Sequence, residues 1–229
     1  MFKIFRLVCL VTLMMGWFRE VPALEKNPID LQKIGITEHE GALLPLDLDF
    51  KNEAGETVPL KKFFDGTKPT ILALVYYDCP NLCNLLMDGL VNAVKQMPWE
   101  AGNQFQIVAV SINPEETPRD ASKKKEADGL AGHFLTGTKE NIQKLADTVG
   151  FGFQYDETNK QYVHAAGFFV ISPDGKISRT FYGTHFRPTD LKLALLEAGN
   201  GKIGNWVDKF LVFLFKYDSI ERKYKFDIL

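Results

Sequence analysis

The sequence predicts an α/β domain with a mixed central sheet, flanking helices and an N-terminal β-hairpin, and three observations predict it. Two continuous apolar runs, residues 70–77 and 105–112, read as strands buried on both faces. Helical periodicity fills the segments between such runs up to residue 149, as parallel strands joined by right-handed crossovers require. A late pair of runs joined by Pro173-Asp174-Gly175 adds antiparallel strands, which makes the sheet mixed.

Taken in order, Leu44, Leu46, Leu48 and Phe50 alternate with Asp47 and Asp49 over residues 43–50, the period of a half-buried strand. A turn at 52–55 and a short strand at 57–60 complete the hairpin. Residues 82–97 carry Leu82, Leu85, Leu86, Leu90, Val91, Val94 and Met97 at helical spacing, and Pro98 ends that helix. Residues 117–128 read as a polar helix with Pro118 in its first turn, 131–136 as a short strand, and 139–149 as an amphipathic helix. Strands at 166–172 and 176–182 precede a helix at 189–197 that Gly199 closes. The pattern shows no internal repeat and no low-complexity segment.

The chain has 229 residues, 45% hydrophobic and 24% charged, with a formal net charge of -2. That is a globular composition, and the scattered lysines and arginines leave no footprint for a phosphate backbone, so nucleic acid is not an expected partner. Residues 1–23 read as a secretory signal peptide: Lys3 and Arg6 precede an apolar run at 7–18, and Val21-Pro22-Ala23 supplies a small-residue cleavage site. The run is shorter than the roughly 20 residues that cross a bilayer. Cleavage removes Lys3, Arg6, Arg19 and Glu20 and leaves a mildly acidic, periplasmic chain, expected to be a monomer; an uncleaved N-terminus would tether it to the membrane. Residues 41–199 form the domain and 200–229 an apolar C-terminal extension. Trp206, Val207, Phe210, Leu211, Val212, Phe213, Leu214 and Phe215 make the extension too short to span a membrane, and it is expected to fold back on the domain. The alternative is a docking face for a partner or a membrane.

The chemistry concentrates in Tyr76-Tyr77-Asp78-Cys79-Pro80-Asn81-Leu82-Cys83, at the junction of a buried strand and a helix. Pro80 suits the first helical position, which makes Cys79 the expected N-cap and puts Cys83 one turn on. Residues four apart share a helix face with Cβ atoms roughly 5–6 Å apart, so both sulfurs can address one small object. A helix N-terminus lowers thiol pKa values and frees thiolates to attack a disulfide or ligate a metal. Two thiolates suit Cu(I), zinc or an iron–sulfur centre; the last two favour four ligands, and two- or three-coordination fits Cu(I). The candidates for a third ligand are His39, His133, His164 and His185. His164 sits in the loop before the strand at 167–171, where an open α/β sheet collects ligands, although a single histidine there also serves well as a structural residue. The Tyr76-Tyr77 pair is expected to alternate across the sheet, one ring in the core and one at the site mouth. Glu115-Glu116 and Asp156-Glu157 read as solvated acidic pairs.

These motifs resemble the SCO/SenC (PrrC-like) family of thioredoxin-fold copper proteins, which help assemble the copper site of cytochrome c oxidase. The resemblance covers roughly residues 41–199. It rests on the Tyr-Tyr-Asp-Cys-Pro-Asn-Leu-Cys segment, on Val110-Ser111-Ile112-Asn113-Pro114-Glu115, and on His164 with the Phe-Phe-Val-Ile-Ser-Pro-Asp-Gly downstream of it. It implies a thioredoxin-like fold and copper binding by two thiolates and one imidazole, roles that fall on Cys79, Cys83 and His164. It further implies a partner in the copper-site subunit of a respiratory oxidase or another cuproprotein; the copper is expected as Cu(I), with Cu(II) left open as the alternative. Many members have Asp-Pro where this chain has Asn113-Pro114.

The rival reading is a periplasmic thiol–disulfide oxidoreductase using the Cys79/Cys83 pair. Dedicated thioredoxins resemble one another in a Cys-x-x-Cys spacing one residue shorter than this one and in a proline where this chain carries His164. The two readings are chemically linked, because a Cys79–Cys83 disulfide cannot bind copper as a pair of thiolates. Nucleotide-binding and zinc-protease signatures are absent: the sequence has no G-x-G-x-x-G after a strand, no Walker A and no H-E-x-x-H.

Overall fold

A computed structural model describes residues 29–30, 33–79, 82–200, 211 and 214–226; of Leu82 and Cys83 it describes the backbone. The expected signal peptide at 1–23, the helix start at Pro80 and the apolar residues Trp206, Val207, Phe210, Val212 and Phe213 lie outside the described residues.

The first strands among the described residues form a hairpin of β1 (Asp49–Lys51) and β2 (Thr57–Pro59), a two-stranded sheet of its own. The strand expected over 43–50 is therefore shorter than its alternation implied. Pro45 has no N–H to give a ladder, and its carbonyl instead accepts the Leu48 N–H at 3.1 Å in a turn. The alternation still sorts the ends of the segment, since Leu44 and Phe50 are both buried.

Then come β3 (Thr70–Val75), α1 (Leu82–Lys95), β4 (Gln106–Ser111), α2 (Pro118–Asp128), β5 (His133–Leu135) and α3 (Lys139–Val149). After a hairpin described below, β8 (Gly167–Ile171), β9 (Ile177–Tyr182) and α4 (Pro188–Ala198) complete the domain. The central sheet has the order β5-β4-β3-β8-β9, with β3, β4 and β5 parallel and β8 and β9 antiparallel. This is the mixed sheet of a thioredoxin-like fold. Every residue of β3 and β8 is buried, as continuous apolar runs in the middle of a covered sheet should be.

Helix α4 packs on β8 and β9 and touches α1. The approach of α1 to the loop after β9 is close enough to require a glycine: a Cβ on Gly89 would lie 2.0 Å from the Thr184 carbonyl oxygen. Gly89→Ala is therefore expected to destabilise the protein by about 1–3 kcal/mol through overpacking, read as a lower urea midpoint at unchanged m.

Two further hairpins were not expected from the sequence. β6 (Phe153–Asp156) pairs with β7 (Gln161–His164), and β10 (Phe215–Asp218) pairs with β11 (Lys223–Phe226), each as a separate two-stranded sheet. They share one design. Tyr155 lies opposite Tyr162 and Tyr217 opposite Tyr224, with ring centroids 5.1 and 5.3 Å apart. Asp156 accepts the Thr158 N–H, and Asp218 accepts the Ile220 N–H, each two residues on. Lys160 and Arg222 close the turns at φ values of 52°. The chain thus contains a short structural repeat, Tyr-Asp followed four residues later by a left-handed basic residue and then by a second Tyr.

The second hairpin answers the expectation for the extension. Tyr224 is buried and donates to Glu197 Oε2 at 2.6 Å, while Arg179 bonds the same oxygen at 3.0 Å and covers the Tyr217 ring at 4.1 Å. With Leu211 and Phe215 also packed against the core, the described part of the extension folds back on the domain.

Candidate metal centre

At the C-terminal end of β3 the chain leaves the sheet through Tyr76, Tyr77, Asp78 and Cys79. The last ladder bond is donated by the Ile112 N–H to the Val75 carbonyl at 2.8 Å. Beyond it a side chain replaces the missing strand. Glu116 accepts the Tyr77 N–H at 2.8 and 3.0 Å on its two oxygens and the Asp78 N–H at 2.9 Å, and the Ser111 hydroxyl lies 2.5 Å from Oε2. Burial pushes the Glu116 carboxyl above its ordinary pKa, against the pull of Ser111 and of the Tyr77 and Asp78 N–H groups. Glu116 is thus buried and not part of a solvated acidic pair. Asp156 is buried too, engaged in its hairpin turn.

The tyrosine pair divides as expected. Tyr77 turns inward, packing on Phe134 with its hydroxyl 2.7 Å from the Leu135 carbonyl and 3.1 Å from that of Ala109, and burial pushes its phenol well above the ordinary value. Tyr76 turns toward the site, 5.7 Å from the Tyr162 ring and 6.4 Å, edge-on, from the His164 imidazole.

Cys79 is 8% exposed. Its carbonyl accepts Asn84 Nδ2 at 2.9 Å, Asn84 Oδ1 accepts Lys124 Nζ at 2.8 Å, and Lys124 bonds Asp128 Oδ1 at 2.7 Å. The described helix begins at Leu82, so Cys79 lies before its first residue, and Cys83 is in the first turn. The Cys83 side chain lies outside the described residues.

His164 is the last residue of β7, opposite Phe153, and not in a loop as its neighbours suggested. The register of β8 on β3, with Phe168 beside Ala73, carries residues 164–166 toward the end of β3 from which Cys79 departs. The imidazole is buried against Tyr76 and Phe151, and Nδ1 is 2.7 Å from the Ala165 carbonyl. A carbonyl only accepts, so Nδ1 carries the proton and Nε2 is the basic nitrogen of the ring, the tautomer in which an imidazole ligates a metal. The other three histidines are exposed and engaged with Thr148 (His39), Phe63 (His133) and Thr184 (His185). Among the described residues, no three His, Cys, Asp or Glu side chains gather closely enough to hold a metal ion.

Beside the centre lies a cleft of about 800 Å³ between Tyr76, Asp78 and Asn113 on one side and the β6–β7 hairpin on the other. Asn113 shapes its rim: its N–H bonds Ser111 Oγ at 3.0 Å and its Oδ1 accepts the Glu115 N–H at 3.1 Å. Sequence reasoning missed Glu116, Asn84 and Lys124. For Glu116 and Asn84 the signal was a polar side chain five residues after Ser111 and after Cys79; Lys124 had no local signal.

Residues 38–195 match the SCO1/SenC family. A protein of Stutzerimonas stutzeri, named as a candidate copper-binding protein, is 26% identical over 161 residues, covering 68% of this chain and 76% of that one. A SCO1 homologue of Bacillus subtilis (strain 168) is 22% identical over 147 residues, 62% of this chain and 75% of its own. The structure of Arabidopsis thaliana ScoI with copper bound aligns at a TM-score of 0.56 and 20% identity, covering 66% of this chain and 94% of that one.

Proposed function

This chain belongs to the SCO1/SenC family, and from that premise we propose that it is a copper metallochaperone. It carries Cu(I) on the sulfurs of Cys79 and Cys83 and on His164 Nε2 and delivers it by ligand exchange to a cuproprotein site such as that of cytochrome c oxidase. A copper-free copy can instead reduce an acceptor disulfide by exchange, giving the acceptor dithiol and the Cys79–Cys83 disulfide, which holds no copper until cellular thiols reduce it. The observation that carries this reading is the Nδ1-to-Ala165 hydrogen bond, which fixes the tautomer a copper ligand needs on a buried imidazole at the Cys79 end of the sheet. It is supported by the copper bound in the Arabidopsis ScoI structure and by a structural neighbour, BsSco, described as a member of a family of cytochrome c oxidase assembly proteins. We place the protein outside the cytoplasm as a monomer: residues 1–23 have the pattern of an export signal, and a structural neighbour from Bacillus anthracis is a lipoprotein.

Two thiolates and a neutral imidazole give the Cu(I) site a net charge of -1, which suits the start of α1. Incoming thiolates of the acceptor replace these ligands one at a time. Titration of the reduced chain with Cu(I) against a competing chelator tests the proposal. One tightly held copper per chain, lost in the Cys79→Ser/Cys83→Ser protein, is the expected result. A wild-type chain that competes for no copper overturns it and moves the function to thiol–disulfide exchange.

A further inference from the structure

The dithiol segment is held from the side of α2 by a buried charge that is not itself a candidate ligand. Lys124, 8% exposed, reaches from α2 to Asn84 in the first turn of α1, and Asn84 reaches back five residues to the Cys79 carbonyl. Burying an ammonium is costly unless it is well paired, and two helices could meet there through apolar side chains at less expense. Its acidic partner is half used: Asp128 Oδ1 accepts from Lys124, while Asp128 Oδ2 is buried with no hydrogen-bond partner among the described residues. Burial pushes the Asp128 carboxyl up against the pull of Lys124.

From this geometry we infer that Lys124 is a positioning residue for the metal centre, acting through Asn84 on Cys79. The cation on Oδ1 fixes the orientation of the Asn84 amide, which has no symmetry to spare: with Oδ1 on the lysine, Nδ2 must face Cys79. It also polarises the amide, so Nδ2 becomes a stronger donor to the Cys79 carbonyl in a chain of coupled hydrogen bonds. The Cys79 backbone is thereby held in the position from which its sulfur would serve the metal ion. The inference rests on the proposed role of Cys79 as a ligand.

The test uses the full chain with Lys124→Met, Lys124→Arg, Asn84→Ala and the Lys124→Met/Asn84→Ala pair. Two quantities are measured: Cu(I) affinity by chelator competition, and the equilibrium in which the Cys79–Cys83 disulfide and two glutathiones give the dithiol and glutathione disulfide. Loss of a partner that orients a metal ligand typically weakens binding 10- to 100-fold. Lys124→Met is expected to weaken Cu(I) about tenfold or more and to shift the glutathione equilibrium away from its wild-type position, since the placement of Cys79 also sets how readily it joins its partner thiol. Lys124→Arg, which keeps the charge, should recover most of both. Because Lys124 acts through Asn84, Lys124→Met should add less than about twofold in the Asn84→Ala background.

If Lys124→Met lowers the melting temperature and leaves both quantities unchanged, Lys124 is structural only and the inference fails; effects that multiply in the double variant also overturn it. Should Lys124→Met not fold, a folded Asn84→Ala protein with wild-type values is decisive against the brace. A wild type that binds no copper removes the chaperone reading, and the glutathione equilibrium alone then decides for or against Lys124.

Discussion

Replacing Glu116 by alanine is expected to cost about 3–4 kcal/mol of folding stability, the largest effect of any single polar substitution near the site. The carboxylate is the acceptor for the Tyr77 and Asp78 N–H groups and lies against the Ser111 hydroxyl. Each buried donor left without a partner costs about 1–3 kcal/mol. Neighbouring segments cannot fill in, because β4 has already given its last ladder bond at Val75. Urea unfolding measures the loss, and the copper titration should show weakened binding as well, since the carboxylate templates the backbone that ends in Cys79. Glu116→Gln keeps one acceptor and should cost about 1–2 kcal/mol. It also isolates a pH effect. The folded carboxyl titrates above its ordinary value of 4.5, so the folded state holds the proton more tightly. The resulting stability is fully present below that ordinary value and is lost as pH rises through the folded one. The wild type should therefore lose stability relative to Glu116→Gln as pH rises from about 4 upward. An Ala variant as stable as the wild type would show that the turn does not depend on this carboxylate.

His164→Ala is expected to weaken Cu(I) binding at least tenfold and to change the spectrum of the copper-loaded protein, while the fold survives. Losing even an outer partner of a metal ligand costs 10- to 100-fold, and here a proposed ligand itself is removed. The structural penalty is smaller: one hydrogen bond to Ala165 and the ring contacts with Tyr76 and Phe151. Melting temperature and chelator competition, measured on the same preparation, separate the two effects. Unchanged affinity with an unchanged spectrum would remove His164 from the ligand set.

The central sheet was legible because its strands are long apolar runs with strong boundaries, and α3 ends where its periodicity ends, at Val149. The two hairpins were not. Their strands do alternate, Phe153 and Tyr155 against Gln154 and Asp156, but their turns lack the Gly or Asn-Gly that marks a reversal. The left-handed position is taken by Lys160 and Arg222, residues that seldom adopt it, and the turn is held by an aspartate side chain bonding its own backbone. At the site, the cysteines and His164 stood out by residue type and spacing. Glu116 did not, since an acidic pair after a strand reads as surface and only the tertiary fold buries one member of it. Asn84 and Lys124 are 40 residues apart, and no local pattern links them.

The placement of His164 on a ribbon that shares no ladder with the central sheet has a mechanical consequence. Cys79 follows the end of a central strand, β3, whereas the imidazole belongs to a separate ribbon, the kind of unit expected to open by itself at lower cost than global unfolding. A metal bound to both would rivet the ribbon to the sheet, and each opening would then have to break a coordination bond. Loading should slow hydrogen exchange selectively in residues 153–164, by a factor that grows with the free copper concentration over its dissociation constant. On the proposed copper-carrier function, delivery of the cargo would release the rivet, and the flexibility of this one ribbon would then report whether the protein is full or empty.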